Sequence, residues 1–207
     1  MSLISDIPDI VIGRLPTYLR ALQRMSQECR QVTSSQELGE SLGISAAQIR
    51  KDLSLFGGFG KQGTGYQIEY LIKQLRQILK VDRVWDVVVV GAGDIGHALA
   101  RYQGFTDRGF RVTMVFDNDP AKIGAMAGTF VIQDVAQMVS IVREAGLKVA
   151  MITVPASRAQ EVTDLLVEAG VKAILNYAPI NLVVPEGVRV QNIDPVSRMQ
   201  RMTYYLD

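Results

Sequence analysis

The chain has 207 residues, 48% of them hydrophobic and 21% charged, which suits one large or two small domains with a sizeable core. The net charge of +1 does not by itself demand a polyanionic partner. No apolar run is long enough to span a bilayer, and the opening MSLISDIPDIVIGRL is acidic before it is apolar, which excludes the basic start of a secretion signal.

In chain order, Ile12–Gln27 has the periodicity of an amphipathic helix carrying Arg14, Arg20 and Arg24. The single cysteine, Cys29, cannot form an internal disulfide, which fits a reducing cytoplasm, and a small buried side chain in a helix is its expected role. Two helix starts follow closely. In TSSQELGESLG, Ser34 stands three residues before Glu37 and the stretch closes at Gly43; in ISAAQIRKDLSLFG, Ser45 stands three before Gln48 and the stretch closes at Gly57. Both are capping-box patterns, and Gly43-Ile44-Ser45 is the short glycine-containing turn of a helix-turn-helix. On the second helix Ile49, Leu53 and Phe56 make the inward stripe. Ser45 opens it, and Gln48, Arg50, Lys51 and Ser54 fall off that stripe, where they could reach base edges and phosphates. GGFGKQGTGY comes next, a glycine-rich turn with Lys61 and Gln62 near its tip, which reads as a wing. Ile68–Leu79 is another helix. Residues 1–80 hold ten Lys/Arg against seven Asp/Glu, and residues 81–207 twelve against fourteen.

Val87–Val90 is a β-branched run of the kind buried on both faces of a parallel sheet. Gly91-Ala92-Gly93-Asp94-Ile95-Gly96 follows, then HALARYQGFTDRG as a helix ending at Gly109, then the strand Val112–Phe116 ending at Asp117, 21 residues after Gly96. In a dinucleotide site, Gly91 permits the tight turn, Gly93 lets a pyrophosphate approach, and Gly96 lets helix pack on strand. The helix N-terminus offers its free amides to phosphate. Asp117 is placed to accept hydrogen bonds from a ribose and would repel a 2′-phosphate; Asn118 and Asp119 supply no compensating arginine, which favours NAD(H). Strands near Phe130–Ile132, Val149–Val154, Val171–Leu175 and Val188–Gln191 alternate with the helices DVAQMVSIVREAG and SRAQEVTDLLVEAG, the latter opening with a capping-box pattern at Ser157 and Gln160. The fold class is therefore α/β, a doubly wound parallel sheet. The loops Thr153-Val154-Pro155 and Asn176-Tyr177-Ala178-Pro179 fall at strand C-terminal ends, where ligands bind in such sheets.

A dehydrogenase also needs a positioned acid or base. The only histidine, His97, directly follows the glycine motif and reads as structural; no helical Tyr/Lys pair and no metal-ligating cluster is evident. The nucleotide looks like a signal rather than a reagent. Two other readings stay open on these residues: a small NAD-dependent oxidoreductase with an accessory helical domain, and a nucleotide-binding assembly module without DNA.

RLPTYLRAL, AQIRKDLSLFGGFGKQGTGY, the GAGDIG loop, VFDNDPAKIG and LNYAPINLVVPEGV together resemble the Rex family of redox-sensing bacterial transcriptional repressors over nearly the whole chain. The resemblance implies a winged-helix DNA-binding domain at 1–80, a Rossmann-like domain binding NADH and NAD⁺ at 81–193, and a homodimer formed through a C-terminal helix at 194–207 exchanged between subunits. It implies no enzymatic activity, no metal and no membrane, a cytoplasmic location, and double-stranded palindromic operator DNA as partner. Arg50 and Lys51 match the basic pair of the recognition helix and Lys61 the wing lysine; Tyr102 and Asp194 match a tyrosine and an aspartate tied to sensing the nicotinamide state. Val196, Met199, Met202 or Thr203, and Leu206 form the apolar stripe of the last helix. The chain departs from the family at Gln62 for arginine, Leu55 for tyrosine and Tyr177 for phenylalanine, and the first of these implies weaker, less salt-dependent DNA binding.

Overall fold

The computed structural model describes residues 7–60 and 65–206. Its contacts divide the chain into two compact units, one ending at Arg83 and the other beginning at Val84.

The first unit is helical. α1 (Asp9–Gln27) buries Leu15, Tyr18, Leu19 and Leu22, at the spacing its sequence periodicity predicts. It starts three residues earlier than the expected Ile12. Cys29 is a correction: it lies past the helix end, exposed and with φ +60°, so it is neither helical nor buried. α2 (Ser35–Leu42) has its capping box in full, with the Ser34 hydroxyl accepting from the Glu37 amide and the Glu37 carboxylate from the Ser34 amide. Gly43 closes it in the left-handed conformation at φ +66°. α3 (Ala46–Ser54) follows after the three-residue link Gly43-Ile44-Ser45 and stops three residues before the expected Gly57. The strands β1 (Val32–Thr33) and β2 (Tyr66–Gln67) pair antiparallel, and α4 (Ile68–Ile78) packs on α1. Ile49, Leu53, Phe59, Ile68, Leu71 and Leu75 complete one core.

The second unit is a doubly wound sheet. Its strands are β3 (Trp85–Val90), β4 (Phe110–Asp117), β5 (Met126–Ala127), β6 (Phe130–Asp134), β7 (Val149–Ile152), β8 (Ala173–Asn176) and β9 (Arg189–Asn192). They lie in the order β5-β6-β4-β3-β7-β8-β9, all parallel to their neighbours except the β5–β6 hairpin. Leaving the hairpin strand aside, this is the 3-2-1-4-5-6 order of dinucleotide-binding sheets. Val88 and Val90 face one core with α6 (Met138–Glu144) and α7 (Ala156–Glu168), and Val87 and Val89 face the other. The run that looked continuous in sequence is thus buried on both sides.

Three expectations change here. The helix predicted through Gly109 is α5 (Asp94–Arg101), broken at Tyr102, with a 3-10 turn over Gln103–Arg108 before Gly109. The Ser157/Gln160 box does not form: Pro155 is the N-cap without a side-chain cap, and Gln160 instead clasps both the amide and the carbonyl of Val183. The β5–β6 hairpin carried no signal beyond the expected strand at Phe130. The C-terminal helix α8 (Pro195–Thr203) is present but buries none of its residues.

Candidate functional site

The glycine loop joins β3 to α5, and its three glycines differ. Gly91 has φ +104°, and a Cβ there would lie 2.8 Å from the Thr153 backbone. At Gly96 a Cβ would lie 1.8 Å from the Gly91 carbonyl oxygen, so no side chain fits. Gly93 has open space around it, with nothing within 4 Å of its would-be Cβ. Two of the three are therefore required by the chain itself, and the third leaves room at the helix start. Gly93 is the N-cap of α5 and no side chain caps that helix, so its first-turn amides are directed at whatever enters this space. Asp94 and Ile95 are exposed beside it, and Ala92 is buried.

Asp117 ends β4 next to this loop and is 7% exposed. Its Oδ2 accepts from the Ala92 amide at 2.6 Å and its Oδ1 from the Asp119 amide at 2.9 Å. Burial alone would raise its pKa. The two amides and the Lys122 ammonium, 3.4 Å away, outweigh that and hold it below the usual carboxylate value. Lys122 adds a cation beside Asp117 that the sequence reading did not weigh. The turn that brings it close is fixed by Asp119, whose carboxylate accepts from the Ala121 amide and whose carbonyl accepts from the Lys122 amide. An Asx turn after Asp117 was the sequence signal that could have revealed it.

The two strand loops stand at the C-terminal ends of β7 and β8, as expected. Their leading side chains are occupied internally. The Thr153 hydroxyl lies 3.0 and 2.8 Å from the carbonyl oxygens of Val90 and Gly91, bracing the glycine turn. Asn176 is fully buried, donates toward the Ala178 and Ile180 carbonyls and Asn192 Oδ1, and accepts from the Ala178 amide. It shapes the loop rather than presenting an amide to a ligand. Val154 and Tyr177 are half-buried, Ala178 is buried and Pro179 exposed. Burial raises the Tyr177 pKa.

Tyr102 and Asp194 are not brought together within one chain. Tyr102, half exposed, stacks edge-on with Phe105 at 4.9 Å and lines a cavity of about 700 Å³ with Phe130 and Arg101. Asp194 caps α8 through the amides of Val196 and Ser197 and lines another cavity of about 590 Å³ with Pro179, Arg198 and Arg201.

In the helical unit, the Ser45 hydroxyl accepts from the Gln48 amide, but the reciprocal half of the box is missing because Gln48 donates to Asp52 Oδ1 at 2.7 Å. Asp52 is fully buried. It also accepts from Arg14 Nε at 2.6 Å, Arg14 Nη2 at 2.7 Å and the Tyr18 hydroxyl at 2.6 Å. Burial opposes ionisation, and these donors overcome it and keep the carboxyl below its usual pKa. Burial together with that carboxylate pushes Tyr18 up to about 12. Gln48 is thus half-buried and engaged with Asp52. Arg50, Lys51 and Ser54 are exposed. Arg50 donates to the Ser35 hydroxyl at 2.8 Å, and Lys51 has no ion pair among the described residues. Lys61, and Gln62 beside it, lie outside the described residues; the flanking Gly60 and Gly65 approach so closely that a Cβ on Gly60 would lie 2.7 Å from the Gly65 carbonyl oxygen. Among the described residues no group of three His, Cys, Asp or Glu could hold a metal ion, and no helix is long and apolar enough to cross a membrane.

A doubly wound nucleotide-type unit in one chain with a helix-turn-helix unit defines the class of ligand-responsive transcription regulators. Comparison with known proteins narrows the class. A family model described as a putative DNA-binding protein N-terminus matches residues 6–54, and one described as a CoA binding domain matches 82–180. The redox-sensing transcriptional repressor Rex of Chloroflexus aggregans is 54% identical over 199 residues, covering 96% of this chain and 94% of that protein. Redox-sensing transcriptional repressor Rex 1 of Thermotoga maritima is 44% identical, covering 96% and 95%. The crystal structure of the repressor RSP in complex with β-NAD⁺ and operator DNA superposes with a TM-score of 0.92 at 36% identity, covering 98% of this chain and 93% of that one. The RSP complex with β-NADH gives 0.89 at 34%, covering 98% and 95%. This chain belongs to the Rex family of redox-sensing transcriptional repressors.

Proposed function

We propose that the chain is a transcriptional repressor that reads the NADH/NAD⁺ ratio: a homodimer, cytoplasmic, bound to a palindromic operator when NADH is scarce and released when it accumulates. The observation that carries this is the match over almost the full chain to a repressor that holds NAD⁺ and operator DNA in one complex. The nucleotide fits the loop. Gly93 leaves room for a pyrophosphate, the uncapped start of α5 faces it, and the ionised Asp117 is available to ribose hydroxyls. The CoA-binding description is compatible, because CoA and NAD share an adenosine diphosphate portion.

The sensing step rests on charge. The oxidised nicotinamide ring is cationic and the reduced ring is neutral, so only the latter loses little on burial against apolar side chains such as those of Val154, Ala178 and Pro179. Tyr102 and Asp194 line different cavities, and a second copy of the chain supplies a route by which Asp194 of one subunit can meet Tyr102 of the other. The exposed stripe Val196, Met199, Met202 and Leu206 is the surface that such an exchange would cover. On DNA, Arg50, Lys51, Ser54 and Ser45, with Lys61 in the wing, supply phosphate and base contacts. Linkage requires that NADH and DNA weaken each other's binding by the same factor, typically about 5- to 150-fold.

Fluorescence anisotropy on a labelled palindrome and on random DNA, at one salt concentration with no nucleotide, NAD⁺ or NADH, tests this. Palindrome-specific binding abolished by NADH alone is the expected result. Equal weak binding under every condition would overturn it, and steady turnover of NADH with a substrate would restore the oxidoreductase reading.

A further inference from the structure

The solvent face of α3 is not uniformly polar. With Ile49, Asp52 and Leu53 buried and Gln48 turned in toward Asp52, the exposed residues are Ala47, Arg50, Lys51, Ser54 and Leu55. These follow i, i+3, i+4, i+7, i+8, a single helical face. Leu55 is helical in φ and ψ at the C-cap, and its side chain is 46% exposed. An apolar residue thus stands at each end of the face, with the two cations between them. Gln48 is the residue whose amide would otherwise pair with adenine, and its engagement with Asp52 leaves this face without an amide reader.

We infer that Ala47 and Leu55 are specificity-determining residues that read thymine C5-methyl groups in the major groove, on either side of the contacts made by Arg50 and Lys51. The inference rests on the proposal that this unit binds operator DNA. The thymine methyl is the one apolar group on a base edge in that groove, and alanine or a larger apolar side chain is its natural partner. Spacing agrees. Eight residues of a helix that follows the groove span about 12 Å along it. At about 3.4 Å per base pair the two methyls would lie three to four base pairs apart in each half-site. Ser54 does not compete for either role: its hydroxyl is turned to the Lys51 carbonyl at 2.8 Å.

The test uses the full chain. Duplexes are enriched from a random pool with the unaltered protein, and each thymine of the resulting consensus is replaced in turn by deoxyuridine, which lacks only the methyl. Binding should weaken about four-fold at two thymines per half-site, the worth of one buried methyl or methylene. Leu55→Ala should weaken binding to the parent duplex by at least as much and then be indifferent to deoxyuridine at one of those positions while still responding at the other. Its affinity for random DNA should not change, which excludes misfolding as the cause. Multiplicative losses at every thymine, or a Leu55→Ala variant that binds and selects like the unaltered protein, would overturn the inference and leave the operator reading intact. Failure of the unaltered protein to enrich any consensus would overturn both.

Discussion

Among the described residues, two buried aspartates look alike in sequence and behave differently. Asp52, in the helical unit, takes all its hydrogen bonds from side chains that lie 4 to 38 residues away, Gln48, Tyr18 and Arg14. Asp117, at the end of β4, takes its from the backbone amides of Ala92 and Asp119 and a distant contact from Lys122. Both stay ionised, and burial works against both. The first carboxylate is spent on welding α3 to α1. The second is held in place by backbone amides of the loops that follow β3 and β4, at the edge of the space that the nucleotide would fill. Burial and a lowered pKa therefore do not separate a structural acid from one proposed to bind a ligand. What separates them is the source of the donors.

Removing each carboxylate should break the comparison in a different place. Asp52→Ala should have the largest effect. It strands the Arg14 guanidinium and the buried Tyr18 hydroxyl, and should cost roughly 3–5 kcal/mol in urea unfolding of the helical unit, with NADH affinity unchanged. Acid should act on the same weld. Because the folded pKa of Asp52 is lowered, its contribution is complete above the ordinary carboxylate value of about 4 and is lost as pH falls through the lower folded value. Urea midpoints measured downward from neutral pH should show this loss, and Asp52→Asn should flatten it.

Asp117→Ala should reduce NADH affinity about ten- to a hundred-fold, the range for a charge-assisted hydrogen bond, with operator binding in the absence of nucleotide retained; a fluorescence titration reads it. Gly93→Ala should leave thermal stability nearly unchanged, since nothing surrounds the added methyl, yet weaken NADH about ten-fold by occupying the phosphate approach. The smallest effect is at Lys122. Lys122→Met removes the cation beside Asp117 and should sharpen the preference for NADH over NADPH by a few-fold, measured as the ratio of the two dissociation constants.

Features written in adjacent residues were legible in the sequence. The Ser34–Glu37 box, the Gly43 stop, the Gly91–Gly96 loop and Asp117 all depend on neighbours within one turn or one crossover, and all are where the pattern puts them. Features set by distant partners were not. Gln48 and Gln160 carry the same capping signal, yet one is drawn to Asp52 and the other to the backbone of Val183, 23 residues on. Thr153 and Asn176 stand at the right strand ends, but their side chains go to holding the loops themselves. Lys122 was missed because a tight turn, rather than sequence distance, sets how near it comes to Asp117. α5 stops at Tyr102 because the chain turns there to reach β4, and composition gives no sign of it.

The last helix buries nothing, and nine residues are too few for a helix to persist alone in water. In the homodimer proposed above, its order would come from association. If a second copy provides the surface, helix content at the C-terminus becomes a function of protein concentration. Dilution would then melt this segment before either folded unit, and repressor abundance, alongside redox state, would set how many operators are held.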